Sequence, residues 1–121
     1  MQDINVKIIK QRILSSNIFI SQNLTKKFEI NMECRAKVKN SKNPEDKSVL
    51  LNMELNIGTK NEELKIALVS DSIFQLEQLL DNYNEIAEQK LIPMARESLL
   101  NTLDKILVVM GYSKMELVKK M

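Results

Sequence analysis

Histidine is absent from this chain of 121 residues, cysteine occurs once, and glycine and proline occur twice each. Each scarcity closes a route to function. Without histidine there is no commonest general base, no neutral imidazole for a metal, and no Ser-His or Cys-His nucleophile pair. A lone cysteine, Cys34, excludes an internal disulfide and a thiolate zinc site, and it agrees with a reducing compartment. Glycine only at positions 58 and 111 leaves neither a GxGxxG nor a GxxxxGK[ST] loop to cradle phosphates. No apolar run approaches the roughly 20 residues of a membrane span. The first residues also lack a charged-then-apolar export signal. A cytoplasmic address without membrane insertion is expected. Carboxylates remain as a catalytic option, and Asp71, Glu77, Asp81, Glu85 and Glu88 gather in one stretch. Their spacing is loose, and Glu85 and Glu88 suit the first turns of a helix, whose dipole favours acidic groups. Neither an enzymatic role nor a cofactor is expected.

The length fits one domain spanning residues 1–121, small enough that association with other copies would stabilise it noticeably. The net charge of +2 is unevenly divided: residues 1–61 hold 11 basic and 6 acidic groups, residues 62–121 hold 7 and 10. Lys27, Arg35, Lys37 and Lys39 raise the possibility of a nucleic-acid face. They lack interleaved aromatics, so they read as a solvated surface and no nucleic-acid partner is expected.

What the chain has in quantity is alternation. Phe28, Ile30, Met32, Cys34, Ala36 and Val38 share one parity, with charged and amide residues on the other. Val49, Leu51, Met53, Leu55 and Ile57 repeat the pattern, and so do Leu64, Ile66, Leu68, Phe74 and Leu76. A period of two with one apolar side predicts half-buried strands in an antiparallel sheet. Residues 4–20 are less regular, because isoleucines fall in both registers; a bulge or bend near Ser15, Ser16 and Asn17 reconciles them. The stretch from Asn40 to Lys47, with Pro44, reads as a hairpin loop, and Gly58 to Asn61 as a tight turn.

From about Asp81 the period becomes helical, with Ile92, Ala95, Leu99, Leu103, Ile106 and Met110 on one stripe and Gly111 placed to end it. Leu91, Met94, Leu100 and Leu107 widen the stripe beyond what one sheet face would cover, which suggests a second packing surface, such as another subunit. Pro93 predicts a bend, or an irregular first turn set apart from the rest. Ser113 to Lys120 reads as a short terminal helix. Together these elements predict an α+β fold: a four-stranded antiparallel sheet, a long helix and a short C-terminal helix.

The apolar side chains exceed what one small subunit hides. Ala67, Val69 and Ile73 lie opposite the inward residues of the fourth strand, and the first strand sets Ile8 beside Ile9, Ile13 beside Leu14, and Phe19 between Ile18 and Ile20, so both faces are apolar in patches. Two readings stand: a permanent subunit interface, or a surface for flexible partners, the latter supported by Leu79, Leu80 and Tyr83 just past the sheet.

Two segments resemble the SecB family of protein-export chaperones. Leu91, Ile92, Pro93, Met94, Ala95, Arg96 and Glu97 are similar to that family's main-helix signature, and Ile9 to Ile20 is similar to its opening strand. The resemblance implies an ATP-independent holdase, assembled as a dimer or tetramer, that binds unfolded or precursor polypeptides. It implies a client groove at Phe74, Leu76, Leu79, Leu80 and Tyr83, and a subunit interface at Leu99, Leu103 and Ile106. The chain departs from the family in a shorter junction between Phe74 and Pro93 and in a basic sheet half. Family members dock the basic tail of the SecA motor on their sheet, and this charge argues against that docking. A SecB-like module dedicated to one partner, such as the antitoxin of a toxin-antitoxin pair, fits the same residues.

Overall fold

A computed structural model of the chain describes residues 6–24, 28–40, 47–76, 87–112 and 115–117. Strands β1 (Val6–Ile20), β2 (Asn31–Asn40), β3 (Ser48–Gly58) and β4 (Leu64–Leu76) form one antiparallel sheet in the order β1-β4-β3-β2. The three sequential strands β2, β3 and β4 pair as neighbours, and β1 lies on the far side of β4, a Greek-key arrangement read from the C-terminal end. The expected α+β fold with a four-stranded antiparallel sheet is present. Helix α1 (Ile92–Val109) follows, preceded by a π-helical turn, Ala87–Leu91.

The alternation puts Val49, Leu51, Met53, Leu55 and Ile57 of β3 on the same face as Leu64, Ile66, Leu68, Phe74 and Leu76 of β4, and all ten are buried. They share one core with Leu91, Ala95, Leu99, Leu100, Leu103 and Leu107 from the helical segment. Burial of each such leucine contributes about 1.5–3 kcal/mol, so the central strands and the helix carry most of the apolar stabilisation.

The irregular first strand resolves into two bulges rather than one. Register shifts fall between Ile8 and Lys10 and between Ile13 and Ser15, leaving Ile9 and Leu14 as the extra residues. The physical reason is the spacing of isoleucines: each bulge reverses the parity once. Ile8 thereby stands opposite Phe74, Ile13 opposite Ser70, Ile18 opposite Ile66 and Ile20 opposite Leu64, so all four share the inner face. β2 begins at Asn31, later than its alternation predicts, and Phe28 and Ile30 precede it as half-buried neighbours of the core.

Pro93 occupies the first turn of α1, and the irregular turn expected around it is the π-helical one. A proline ring clashes with the carbonyl four residues back in a regular α-helix, and the wider π turn gives it room. Gly111 ends the helix as expected. Its φ of +106° lets Tyr112 N–H reach the Leu107 carbonyl and Gly111 N–H reach that of Val108, both at 3.0 Å, closing a Schellman motif. Most of the expected terminal helix lies outside the described residues. Leu117, within it, is buried and donates its N–H to both carboxyl oxygens of Asp104 at 3.3 and 3.1 Å. The second side of the broad apolar stripe is therefore covered in part by the chain's own tail, with Leu117 and half-buried Met115 in the shared core. No described helix is long and apolar enough to cross a membrane.

Candidate functional site

An α-helix with its side chains is about 10–12 Å across, whereas four strands span roughly 14 Å between the outermost backbones, with side chains beyond. One helix therefore seals the middle of the sheet and leaves its margins short of cover. The burial follows that geometry. Inward residues of β3 and all those of β4 are buried, while Met32, Cys34, Ala36 and Val38 of β2 and Ile8, Ile13, Ile18 and Ile20 of β1 are only half-buried.

The two margins differ in chemistry. Along β2 the inward row is apolar without a break, and Phe28 and Ile30 extend it toward the preceding segment. Arg96 from α1 lies close enough to act electrostatically on Cys34. Burial pushes the Cys34 thiol above its ordinary value of 9.0, and the nearby guanidinium opposes that shift. β2 is also an edge strand, so the backbone groups on its open side have no partner strand within the sheet.

Along β1 the row is interrupted by polar side chains. The bulge at Ile9 turns Gln11 inward opposite Ser72, where its amide donates to Ser72 Oγ at 2.9 Å and to the Ala95 carbonyl at 3.1 Å. Ser98 Oγ donates back to Gln11 Oε1 at 2.9 Å. This network ties α1 to the β1–β4 side of the sheet. Beside it, a hollow of about 370 Å³ lies between Ile8 and the helix flank at Met94, Ser98, Asn101 and Lys105. Gln11 was not legible as a core residue, since parity counted from Val6 and Ile8 places it outside until the bulge reverses the count.

Of the residues expected to form a client groove, Phe74 and Leu76 are 0% and 1% exposed, buried within the shared core. Leu79, Leu80 and Tyr83 lie outside the described residues. Of those expected at a subunit interface, Leu99 and Leu103 are fully buried in the chain's own core and Ile106 is half-buried. Their spacing of four residues places Leu99 and Leu103 on the same stripe as Ala95 and Leu107, which the core already uses. Apolar side chains open to solvent stand at the end of the helix instead, at Val108, Val109 and Met110.

Among the acidic residues considered for catalysis, Asp71 sits on the opposite face of the sheet, where Asn52 donates to its Oδ1 at 2.9 Å and Arg12 stands 3.7 Å away. Glu88 is exposed, and Glu77, Asp81 and Glu85 lie outside the described residues. Among the described residues no three acidic or thiol side chains converge as a metal site would require. The arrangement offers apolar area and strand backbone.

No protein-family model matches the chain, and no curated protein matches it in sequence. Similarity emerges in solved structures. One is a SecB-like chaperone of Mycobacterium tuberculosis, Rv1957, in complex with a ChAD peptide from the Rv1956 HigA1 antitoxin. It is 11% identical, with 84% of this chain and 74% of that chain covered and a TM-score of 0.55. Another is a protein of unknown function from Streptococcus agalactiae, 12% identical, with 87% and 86% covered and a TM-score of 0.54. At such identities the likeness lies in the fold: a four-stranded antiparallel sheet followed by a helix, as in a SecB-like chaperone.

Proposed function

We propose that this chain is an ATP-independent holdase that takes extended, non-native polypeptide along the uncovered β2 margin of its inner sheet face. The observation that carries this reading is the contrast within one face: β3 and β4 are sealed, while the continuous apolar row Met32, Cys34, Ala36 and Val38 is half-open at an edge strand. An extended client presents apolar side chains on alternate residues and unpaired backbone groups between them. A strand margin of this kind accepts both, with affinity drawn from area and backbone pairing and without a chemical step. The SecB-like neighbour solved with an antitoxin peptide supports a polypeptide as the partner.

A narrower client range fits the same margin. In that second reading the chain serves one dedicated partner, such as an antitoxin, and it is favoured by the same neighbour's bound peptide. Copies of the chain would associate through the open end of the helix, where Val109 is 87% exposed. Under this proposal Leu99 and Leu103 support that contact from within the core, and Ile106 borders it. The basic outer face disfavours docking of a basic SecA tail.

Suppression of aggregation of a chemically denatured model protein tests the proposal. The wild-type chain is expected to suppress it at micromolar concentrations. A Met32→Gln/Val38→Thr variant, nearly unchanged in shape, should lose most of that effect while keeping its thermal midpoint within a few degrees. Undiminished suppression by the variant would remove the β2 margin as the site. Binding confined to one natural partner, with no effect on the model protein, would favour the dedicated reading.

A further inference from the structure

The outer face of the sheet, away from α1, has a design of its own. Strand pairing aligns Lys39, Leu50, Ile73 and Lys10 in one row across β2, β3, β4 and β1, and Lys37, Asn52, Asp71 and Arg12 in the next. Lys7 follows on β1, opposite Gln75. Basic side chains thus stand on both edge strands, with Leu50 and Ile73 half-buried between them. Asp71 is the one acidic side chain in these rows and is already held by Asn52 and Arg12. Among the described residues no ion pair holds Lys7, Lys10, Lys37 or Lys39. The β1 bulge adds Ile9, 57% exposed, beside Lys10.

The geometry points to this end of the outer face as a docking site for an acidic amphipathic helix of a partner protein. The β1 and β2 backbones are three strand spacings apart, about 14 Å. An α-helix about 10–12 Å across lies between them. Its apolar stripe meets Leu50 and Ile73, and acidic residues flanking that stripe meet Lys37 and Lys39 on one side and Lys7 and Lys10 on the other. Charge and apolar area are complementary in the same footprint. Nucleic acid fits less well. The apolar floor offers nothing to a phosphate backbone, and no aromatic ring stands in these rows for a base to stack on. The site is independent of the client margin, which lies on the other face.

Fluorescence anisotropy with a labelled synthetic peptide of about 18 residues, built of Leu, Ala and Glu with the leucines on one stripe flanked by glutamates, tests the assignment. The full-length chain is expected to bind it, and more weakly as salt rises. The same peptide with Lys in place of Glu should not bind. A Lys10→Glu/Lys39→Glu variant should bind about tenfold more weakly, the sum of several exposed charge pairs. An Ile73→Thr variant, which leaves the charges intact, should also weaken binding while circular dichroism shows the sheet unchanged. Equal binding of the lysine peptide, or an unaltered affinity in the charge-reversed variant, would overturn the proposal. Displacement of the peptide by a single-stranded or duplex oligonucleotide of higher affinity would overturn it in favour of nucleic acid. Suppression of client aggregation should persist in both variants, which separates this surface from the inner-face site.

Discussion

Gln11 shows how one side chain can organise a margin that sequence parity assigns to solvent. Its amide joins β4 and α1 through Ser72, Ala95 and Ser98, and no apolar residue of similar length could satisfy the two hydroxyl groups. A Gln11→Met substitution is expected to lower unfolding free energy by about 1–3 kcal/mol, measured by urea denaturation, because polar groups are left without partners in a partly buried setting. Cys34 illustrates the opposite case, where sequence alone placed the residue well: its inward register predicted a small core side chain, and it lies half-buried in that row. Its folded-state pKa is raised by burial, so the native chain holds the thiol proton more tightly than the unfolded chain. The resulting contribution to stability is fully present below the unfolded pKa and is lost as pH rises through the folded value. Stability of the wild-type chain should therefore fall more steeply above pH 9.0 than that of Cys34→Ala, followed by thermal unfolding across that range. An identical slope in the two proteins would contradict the assignment.

At the scale of elements, β3 was legible because it carries an unbroken period of two, and β4 because Leu64, Ile66, Leu68, Phe74 and Leu76 keep one parity across the inward Ser70 and Ser72. β1 was legible only as a strand with a defect. A sequence with isoleucines in both registers signals that parity must reverse, but the number and places of reversals depend on which β4 residues stand opposite, and that is tertiary information. Helix α1 ends at the glycine expected to end it, for a reason that its conformation makes quantitative. A Cβ at Gly111 would meet nothing within 4 Å, so a Gly111→Ala change is opposed by the backbone alone. With φ at +106°, the expected loss is about 1–2 kcal/mol, read from the shift in denaturation midpoint. No loss would mean that the Schellman closure contributes little. The wide apolar stripe of α1 was also legible, but its second partner was not: Leu117 covers part of it through the chain's own return to Asp104. Contacts of this kind link residues 13 positions apart through a single carboxyl group, and periodicity carries no sign of them.

At the scale of the molecule, the sheet separates two surfaces of different character. The inner face buries its centre under one helix and leaves a half-open margin on each side, apolar throughout along β2 and broken by Gln11 along β1, and the outer face carries basic edges around a small apolar floor. The charge asymmetry between the halves of the chain foretold the second surface only in sign; strand order was needed to bring Lys10 and Lys39 to opposite edges of one row. The family resemblance implied a groove at the junction after β4, where Phe74 and Leu76 prove closed and Leu79, Leu80 and Tyr83 lie outside the described residues; the open apolar row belongs to β2, because a single helix cannot cover four strands. Cys34 lies in the middle of that row and supplies a native probe of it. The rate of Cys34 alkylation, measured with and without a saturating amount of a cysteine-free, permanently unfolded polypeptide, tests whether unfolded chain occupies this row. Bound polypeptide is expected to slow that rate severalfold, and an unchanged rate at saturation would contradict a client site on the β2 row.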